Sequence, residues 1–115
     1  MNKAEFRNAV LENMGIISPG ETPTYEDQKV VDQSIDSSLA ELRGLGLAPF
    51  TSDDVPNYAY HAFRDYVCGH LAFVYGLPPE KAIGFFQRKI LATQELSKQV
   101  NSSRRTEVTT KGWYF

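Results

Sequence analysis

His61, Asp65 and Cys68 lie on one side of a predicted helix, and their types suit a base, an orienting acid and a nucleophile. At a rise of about 1.5 Å per residue, however, His61 and Cys68 are roughly 10 Å apart along the helix axis. A nucleophile and its base must come within about 3 Å of each other to share a hydrogen bond. We therefore expect no catalytic residue among them and no enzymatic activity.

The two histidines are also poorly placed for a metal. His61 and His70 are nine residues apart, which puts them on opposite sides of a helix. The sequence has neither zinc-spaced cysteines nor a glycine-rich phosphate loop. Cys68 is the single cysteine and lies in an aromatic stretch, so it is expected to be a small buried hydrophobic residue. We expect no metal site and no cofactor.

The charge is unevenly divided between the two halves of the chain. Residues 1–54 hold four Lys or Arg and ten Asp or Glu, whereas residues 55–115 hold eight and four. This asymmetry is too small for a dedicated nucleic-acid-binding protein, and only passive contact with DNA is expected. It would suit subunits that meet acidic side to basic side, although such charges can also simply solvate helix surfaces.

The length of 115 residues allows one domain with its own hydrophobic core. Residues 1–9 contain Lys3, Glu5 and Arg7 and no long apolar run, so neither a signal peptide nor a membrane anchor is expected. We expect the protein to be made in a cytoplasm.

Apolar spacing predicts two helices in the acidic half. The first spans about residues 3–14 and ends at Gly15. The second begins with either Thr22 or Thr24 as its cap and runs to about Arg43. Their apolar stripes, at helical spacing, are Phe6, Val10 and Met14 in the first and Val31, Ile35, Leu39 and Leu42 in the second.

The basic half predicts two further helices, and the third is unusually aromatic. It begins near residues 52–56, and its core stripe is Val55, Ala59, Ala62, Phe63, Tyr66 and Val67. Tyr60, Phe73 and Tyr75 extend the apolar area beyond that stripe. A helix that is apolar around much of its circumference is buried centrally or contacts neighbouring subunits.

The fourth helix begins at residues 78–80 and decays after Lys98. Its single apolar face is traced by Ile83, Phe86 and Ile90, with Leu91 and then Gln94 as further candidates, and is enlarged by Phe85 and Leu96. The predicted fold is therefore all-α: a small bundle of about four helices over residues 1–98. Residues 99–115 form a linker and an extended C-terminal arm, whose composition favours β structure and allows a short strand.

The arm ends in three consecutive aromatic residues, Trp113, Tyr114 and Phe115. Burying them would contribute up to about 15 kcal/mol. Ordering the last dozen residues costs about 12 to 24 kcal/mol. A single arm should therefore bind weakly or stay disordered, whereas many arms on a common ring would bind firmly through avidity. Alternatively, the arm folds back on its own domain.

Several stretches together resemble the head-to-tail connector (adaptor) proteins of tailed bacteriophages. They are Ala9–Ile16, the loop Ser18–Thr24, the helix end Leu39–Leu47, the Val55-Pro56 pair, and the helix end Val74–Leu77. The loop is distinctive, and the helices are generic. The resemblance covers most of residues 5–97.

The resemblance implies a structural virion protein that forms a ring, typically a dodecamer, beneath the portal protein. Such a ring extends the DNA channel, contacts packaged DNA passively and offers a docking surface to a tail or stopper protein. In that family the C-terminal arm commonly reaches the portal. By this reasoning the residues that bind the portal or a neighbouring subunit are Arg104, Arg105, Lys111, Trp113, Tyr114 and Phe115.

Two other classes stay open at this point. A small helical interaction or regulatory module would be a monomer or dimer and could lack any affinity for a portal. An enzyme would need a partner domain or a site that the sequence does not display.

Overall fold

A computed structural model describes the backbone of residues 1–110 and the side chains of residues 1–99. Within this part the chain forms four helices: α1 (Lys3–Asn13), α2 (Tyr25–Gly44), α3 (Asn57–Val74) and α4 (Pro79–Thr110). The all-α bundle predicted from the sequence is confirmed. The segment between α2 and α3 is a packed loop with one isolated bridge, between Thr51 and Asp54.

The helix starts follow local capping chemistry. Asn2 caps α1, because its side-chain oxygen accepts a hydrogen bond from the backbone N–H of Glu5 at 2.8 Å. At α2, Thr24 Oγ1 accepts from the N–H of Asp27 at 3.2 Å, so Thr24 is the cap and Thr22 is not. Pro56 precedes α3 in an extended conformation and makes no side-chain cap, so α3 begins at Asn57, directly after the predicted start at residues 52–56.

The core lies mainly between α1, α2 and α3. Every residue of the stripes predicted for these three helices is buried. The rings of Phe6 and Phe63 stack with centroids 4.9 Å apart, and Phe50 from the loop meets Phe63 edge to face at 5.4 Å. α3 is the central helix, since α1, α2 and α4 all pack against it.

In contrast, α4 lies on the outside of the bundle and, within the described part of the chain, packs against α3 alone. The two helices approach closely at Gly69, where an added Cβ would lie 2.5 Å from the Cβ of Lys89. This approach is possible because glycine has no side chain at the contact. The α4 residues that face α3 are Ala82, Phe85, Lys89, Ala92 and Leu96, at spacings of three and four.

The apolar face predicted for α4 is therefore divided in two. Phe85 and Leu96 are buried, but Ile83, Phe86 and Ile90 are exposed. Each residue of the buried stripe from Ala82 to Lys89 directly precedes a member of the exposed row, and the close approach at Gly69 is made by the stem of Lys89 and not by a bulky apolar side chain. Counting large apolar residues could not reveal that contact.

α4 is also longer than predicted. It continues through residues 99–110, where the sequence analysis placed a linker and the start of an extended arm. The chain has no proline or glycine between Gly84 and Lys111, and extending an existing helix adds one hydrogen bond for each residue ordered. A strand is thus excluded for residues 99–110, whereas residues 111–115 lie outside the described residues.

Candidate functional site

The residues that suggested catalysis do not form a site. His61 is exposed, whereas Cys68 is fully buried against α1. Burial raises the pKa of the Cys68 thiol to about 11, although the Asn13 side chain, which donates a hydrogen bond to Sγ at 3.3 Å, acts in the opposite direction. The thiol therefore stays protonated near neutral pH and out of reach of a substrate.

The described residues include no group of three or more His, Cys, Asp or Glu side chains that could hold a metal ion. Among the helices of residues 1–110, none is both long enough and apolar enough to cross a bilayer.

The most distinctive feature of the surface is a row of exposed apolar side chains where α3 ends and α4 begins. We call it the α4 apolar surface, and it consists of Phe73, Pro79, Ile83, Phe86 and Ile90. The exposed fractions are 67% for Phe73, 57% for Ile83, 44% for Phe86 and 47% for Ile90. Ile83, Phe86 and Ile90 are spaced by three and four residues, so they lie along one side of α4.

Part of this surface is a groove of about 350 Å³. Phe73 and Phe86 meet edge to face in its wall, with ring centroids 6.2 Å apart. The groove has no charged side chain in its lining, which is Phe73, Leu77, Pro79, Ala82, Ile83 and Phe86. An apolar partner would therefore enter it without stripping water from a charge.

The tight connection between α3 and α4 creates the groove. Gly76 has a φ of +61°, a conformation that glycine adopts without strain, and the Leu77 N–H donates to the Ala72 carbonyl at 3.2 Å. Pro79 then begins α4. The turn therefore brings Phe73, near the end of α3, beside the first two turns of α4.

A second groove, of about 530 Å³, has both charged and apolar side chains in its lining and lies between the end of α1 and the start of α4. Its charged lining residues are Glu12, Glu80, Lys81 and Arg88, two of each sign. The Arg88 guanidinium lies over the Phe85 ring, 5.4 Å from its centroid. A groove with balanced charges does not select a ligand by sign, so it is the weaker candidate.

Of the residues predicted to bind a partner, only Arg104 and Arg105 lie within the described backbone, and both are far along α4 from the α4 apolar surface. Arg104 and Arg105 are in the last part of α4, and Lys111, Trp113, Tyr114 and Phe115 lie outside the described residues. At about 1.5 Å per residue, Thr110 is roughly 36 Å along the helix axis from Phe86. This surface was not predicted as a site from the sequence, although its signal was present as two adjacent apolar rows on one helix.

No protein-family model, curated protein or solved structure matches the chain. The molecule is defined by its own features: a small helical bundle whose outermost helix carries an uncovered apolar surface.

Proposed function

We propose that the protein is a non-catalytic assembly subunit of the virion: a head-to-tail connector that forms a ring between the portal and the tail. The observation that carries the assembly role is the α4 apolar surface. Large exposed apolar patches on small soluble domains mark interaction sites, and aromatic residues are enriched where binding energy concentrates. Phe73 and Phe86 form such an aromatic pair.

The order of the elements supports the connector class within that role. The chain has a short α1, a turn with Gly20 at a φ of +82°, a long α2 and a tyrosine-bearing α3. This order agrees with the resemblance found in the sequence, which is the origin of the connector assignment.

The distribution of charge supports contacts between copies. α2 carries five acidic and two basic residues, although Asp32 and Asp36 are already paired with Arg7 and Lys3 of α1. Residues 79–99 of α4, on the outside of the bundle, carry two acidic and four basic residues. Opposite charges on different sides of one subunit favour a head-to-tail arrangement, in which an acidic side meets a basic side.

The proposed partners are other copies of the chain in a ring, a portal protein and a tail or stopper protein. Packaged DNA would pass through the ring and contact it passively. The C-terminal residues from Arg104 onward would add a docking contact to the portal or to a neighbouring subunit.

The test is to size the full chain with and without an intact portal ring, by native mass spectrometry or light scattering. The expected result is a defined complex of many copies on the portal. A Phe86→Ser variant should lower the occupancy, while Leu91→Ser, which changes an exposed residue of α4 about 100° around the helix from Ile90, should not. A chain that never joins an intact portal ring would contradict the connector role.

The alternative is a small helical interaction or regulatory module without catalytic activity. The same α4 apolar surface favours it, because a groove beside a helix also suits a peptide or helix from another protein. A strictly monomeric or dimeric chain with no affinity for a portal would favour this alternative.

A further inference from the structure

Among the side chains of residues 1–99, none covers the α4 apolar surface, and the length of α4 limits what else can cover it. Of the residues of the α4 apolar surface, Ile90 lies nearest to Thr110, where α4 ends. The two residues are roughly 30 Å apart along the helix axis. Residues 111–115 span at most about 18 Å even when fully extended. Trp113, Tyr114 and Phe115 therefore cannot reach the α4 apolar surface of their own chain.

We propose that the α4 apolar surface of one copy receives Trp113, Tyr114 and Phe115 of a second copy. This inference rests on the proposed function only in taking the chain to assemble with itself. The chemistry of the two parts matches, because one is an uncharged groove with Phe73 and Phe86 in its wall and the other is a run of three aromatic residues. Aromatic side chains gain from edge-to-face contacts in addition to the area they bury.

The area that the three aromatic residues can bury suits a contact that is weak by itself and is repeated between neighbouring copies. Three aromatic side chains bury roughly 450 to 750 Å² between them. Counting both partners, the total is at the lower end of what specific protein interfaces bury, about 1,200 Å². One such contact would be weak, but a closed ring, in which every copy gives one arm and receives another, joins the subunits cooperatively.

The contact is heterologous, because different parts of the two copies meet. Heterologous contacts lead to closed rings or open filaments rather than to isolated dimers. The geometry of α4 favours this kind of contact, since one end of the helix carries the receiving surface and the other end leads into the arm. Pairing of two α4 apolar surfaces with each other would instead give a symmetric dimer.

A complementation experiment separates these arrangements. A surface variant, Phe86→Ser with Ile83→Ser, keeps the arm, and an arm variant, Trp113→Ser with Phe115→Ser, keeps the surface. Each alone should lose the oligomers of the unaltered chain, with association weaker by roughly 30-fold or more. Mixed in equal amounts, they should form dimers and stop there, because only one productive contact remains.

Other outcomes would overturn the proposal. An arm variant that still self-associates would indicate direct pairing of the α4 apolar surfaces. An unaltered chain that stays monomeric at its highest attainable concentration would rule out the contact, yet a portal-bound ring would then still support the proposed function. Circular dichroism of each variant checks folding, and the Leu91→Ser variant is the matched control on the same helix.

Fluorescence gives a second readout, because Trp113 is the only tryptophan in the sequence. Its emission should shift to longer wavelength when the unaltered chain is diluted to monomer, as the indole moves from the groove into water. The surface variant should show the shifted emission at every concentration. An emission that is identical in the unaltered chain and the surface variant would contradict the contact.

Discussion

Gly69 and Lys89 mark a close approach of α3 and α4: a Cβ placed on Gly69 would lie 2.5 Å from the Lys89 Cβ. The lysine stem crosses α3 at this point, and its Nζ lies 4.8 Å from the centroid of the Tyr66 ring. This contact selects which side of α4 faces the bundle, and so it leaves Ile83, Phe86 and Ile90 outside.

Substituting Gly69→Ala should destabilise the protein by about 1 to 3 kcal/mol, because the helices must separate to make room for the methyl group. Gly84→Ala is the matched control, since Gly84 lies within α4 and an added Cβ would meet nothing within 4 Å. That change should be neutral or stabilising by up to about 1 kcal/mol through helix propensity. Urea unfolding measures both, and equal effects would show that the approach at Gly69 is not tight.

Cys68 should react with thiol reagents only after unfolding, because its side chain is fully buried and its pKa is raised to about 11 from 9.0. In the unfolded chain the thiol loses its proton near pH 9, but in the folded chain it does so near pH 11. As pH rises from 9 to 11, the contribution of the Cys68 thiol to the free energy of unfolding should therefore decrease by about 2 to 3 kcal/mol.

The comparison for that prediction is Cys68→Ala, which removes this part of the pH dependence. The difference in unfolding free energy between the two proteins should be constant below pH 9 and should change as pH rises towards 11. A parallel pH dependence would contradict the assignment. The assignment would also be contradicted if a thiol reagent labelled the native protein as fast as it labels the protein unfolded in urea.

Tyr66 links α3 to α2, since its hydroxyl donates to a carboxylate oxygen of Glu41 at 2.6 Å. Burial, and then the hydrogen bond to Glu41, raises the pKa of Tyr66 well above its ordinary value of 10.0. The contribution of Tyr66 to stability is fully present below pH 10. It is lost at higher pH, because the tyrosine hydroxyl ionises in the unfolded chain at a lower pH than in the folded chain. Tyr66→Phe should lower the free energy of unfolding by about 1 kcal/mol at pH 7, and it should reduce the loss of stability above pH 10. Guanidinium unfolding at pH 7 and above pH 10 measures this, and an unchanged alkaline slope would be the contrary result.

Arg7 and Asp32 should couple more strongly than Lys3 and Asp36, although both pairs join α1 to α2. Arg7 donates two hydrogen bonds to the Asp32 carboxylate, at 2.9 and 3.0 Å, and both side chains are largely covered. The Lys3 partner, Asp36, is 59% exposed. Double-mutant cycles with alanine should give about 1 kcal/mol for the first pair and at most about 0.5 kcal/mol for the second. A larger coupling energy for Lys3 and Asp36 than for Arg7 and Asp32 would show that the two hydrogen bonds from Arg7 contribute little.

The extension of α4 past Lys98 can be tested at Ser103. A Ser103→Pro substitution should reduce the helical circular dichroism signal, because proline removes a backbone donor and clashes with the preceding turn. Ser103→Ala should leave the signal unchanged or raise it slightly. Identical spectra for the two variants would mean that α4 ends before this residue in solution.

Local chemistry explains why much of the fold could be predicted. Capping residues such as Thr24, the stop at Gly15 and the apolar spacing of α1, α2 and α3 all act over a few residues, so the sequence displays them directly. The buried state of Cys68 follows from its place in an aromatic helix. The resemblance to connector proteins was also visible in the sequence, and the connector role stays a proposal.

The sequence by itself thus determined that four helices form, where α1, α2 and α3 lie, and which residues make their core stripes, but not how far α4 extends. Only the tertiary structure decided which of two adjacent apolar rows on α4 is buried, because that choice depends on the closeness of α3 at Gly69. It also decided that α4 packs against α3 alone within the described residues, which leaves Phe86 and its neighbours uncovered. Periodicity sets how many faces of a helix are apolar, whereas the shape of the neighbouring helix sets which of them is buried.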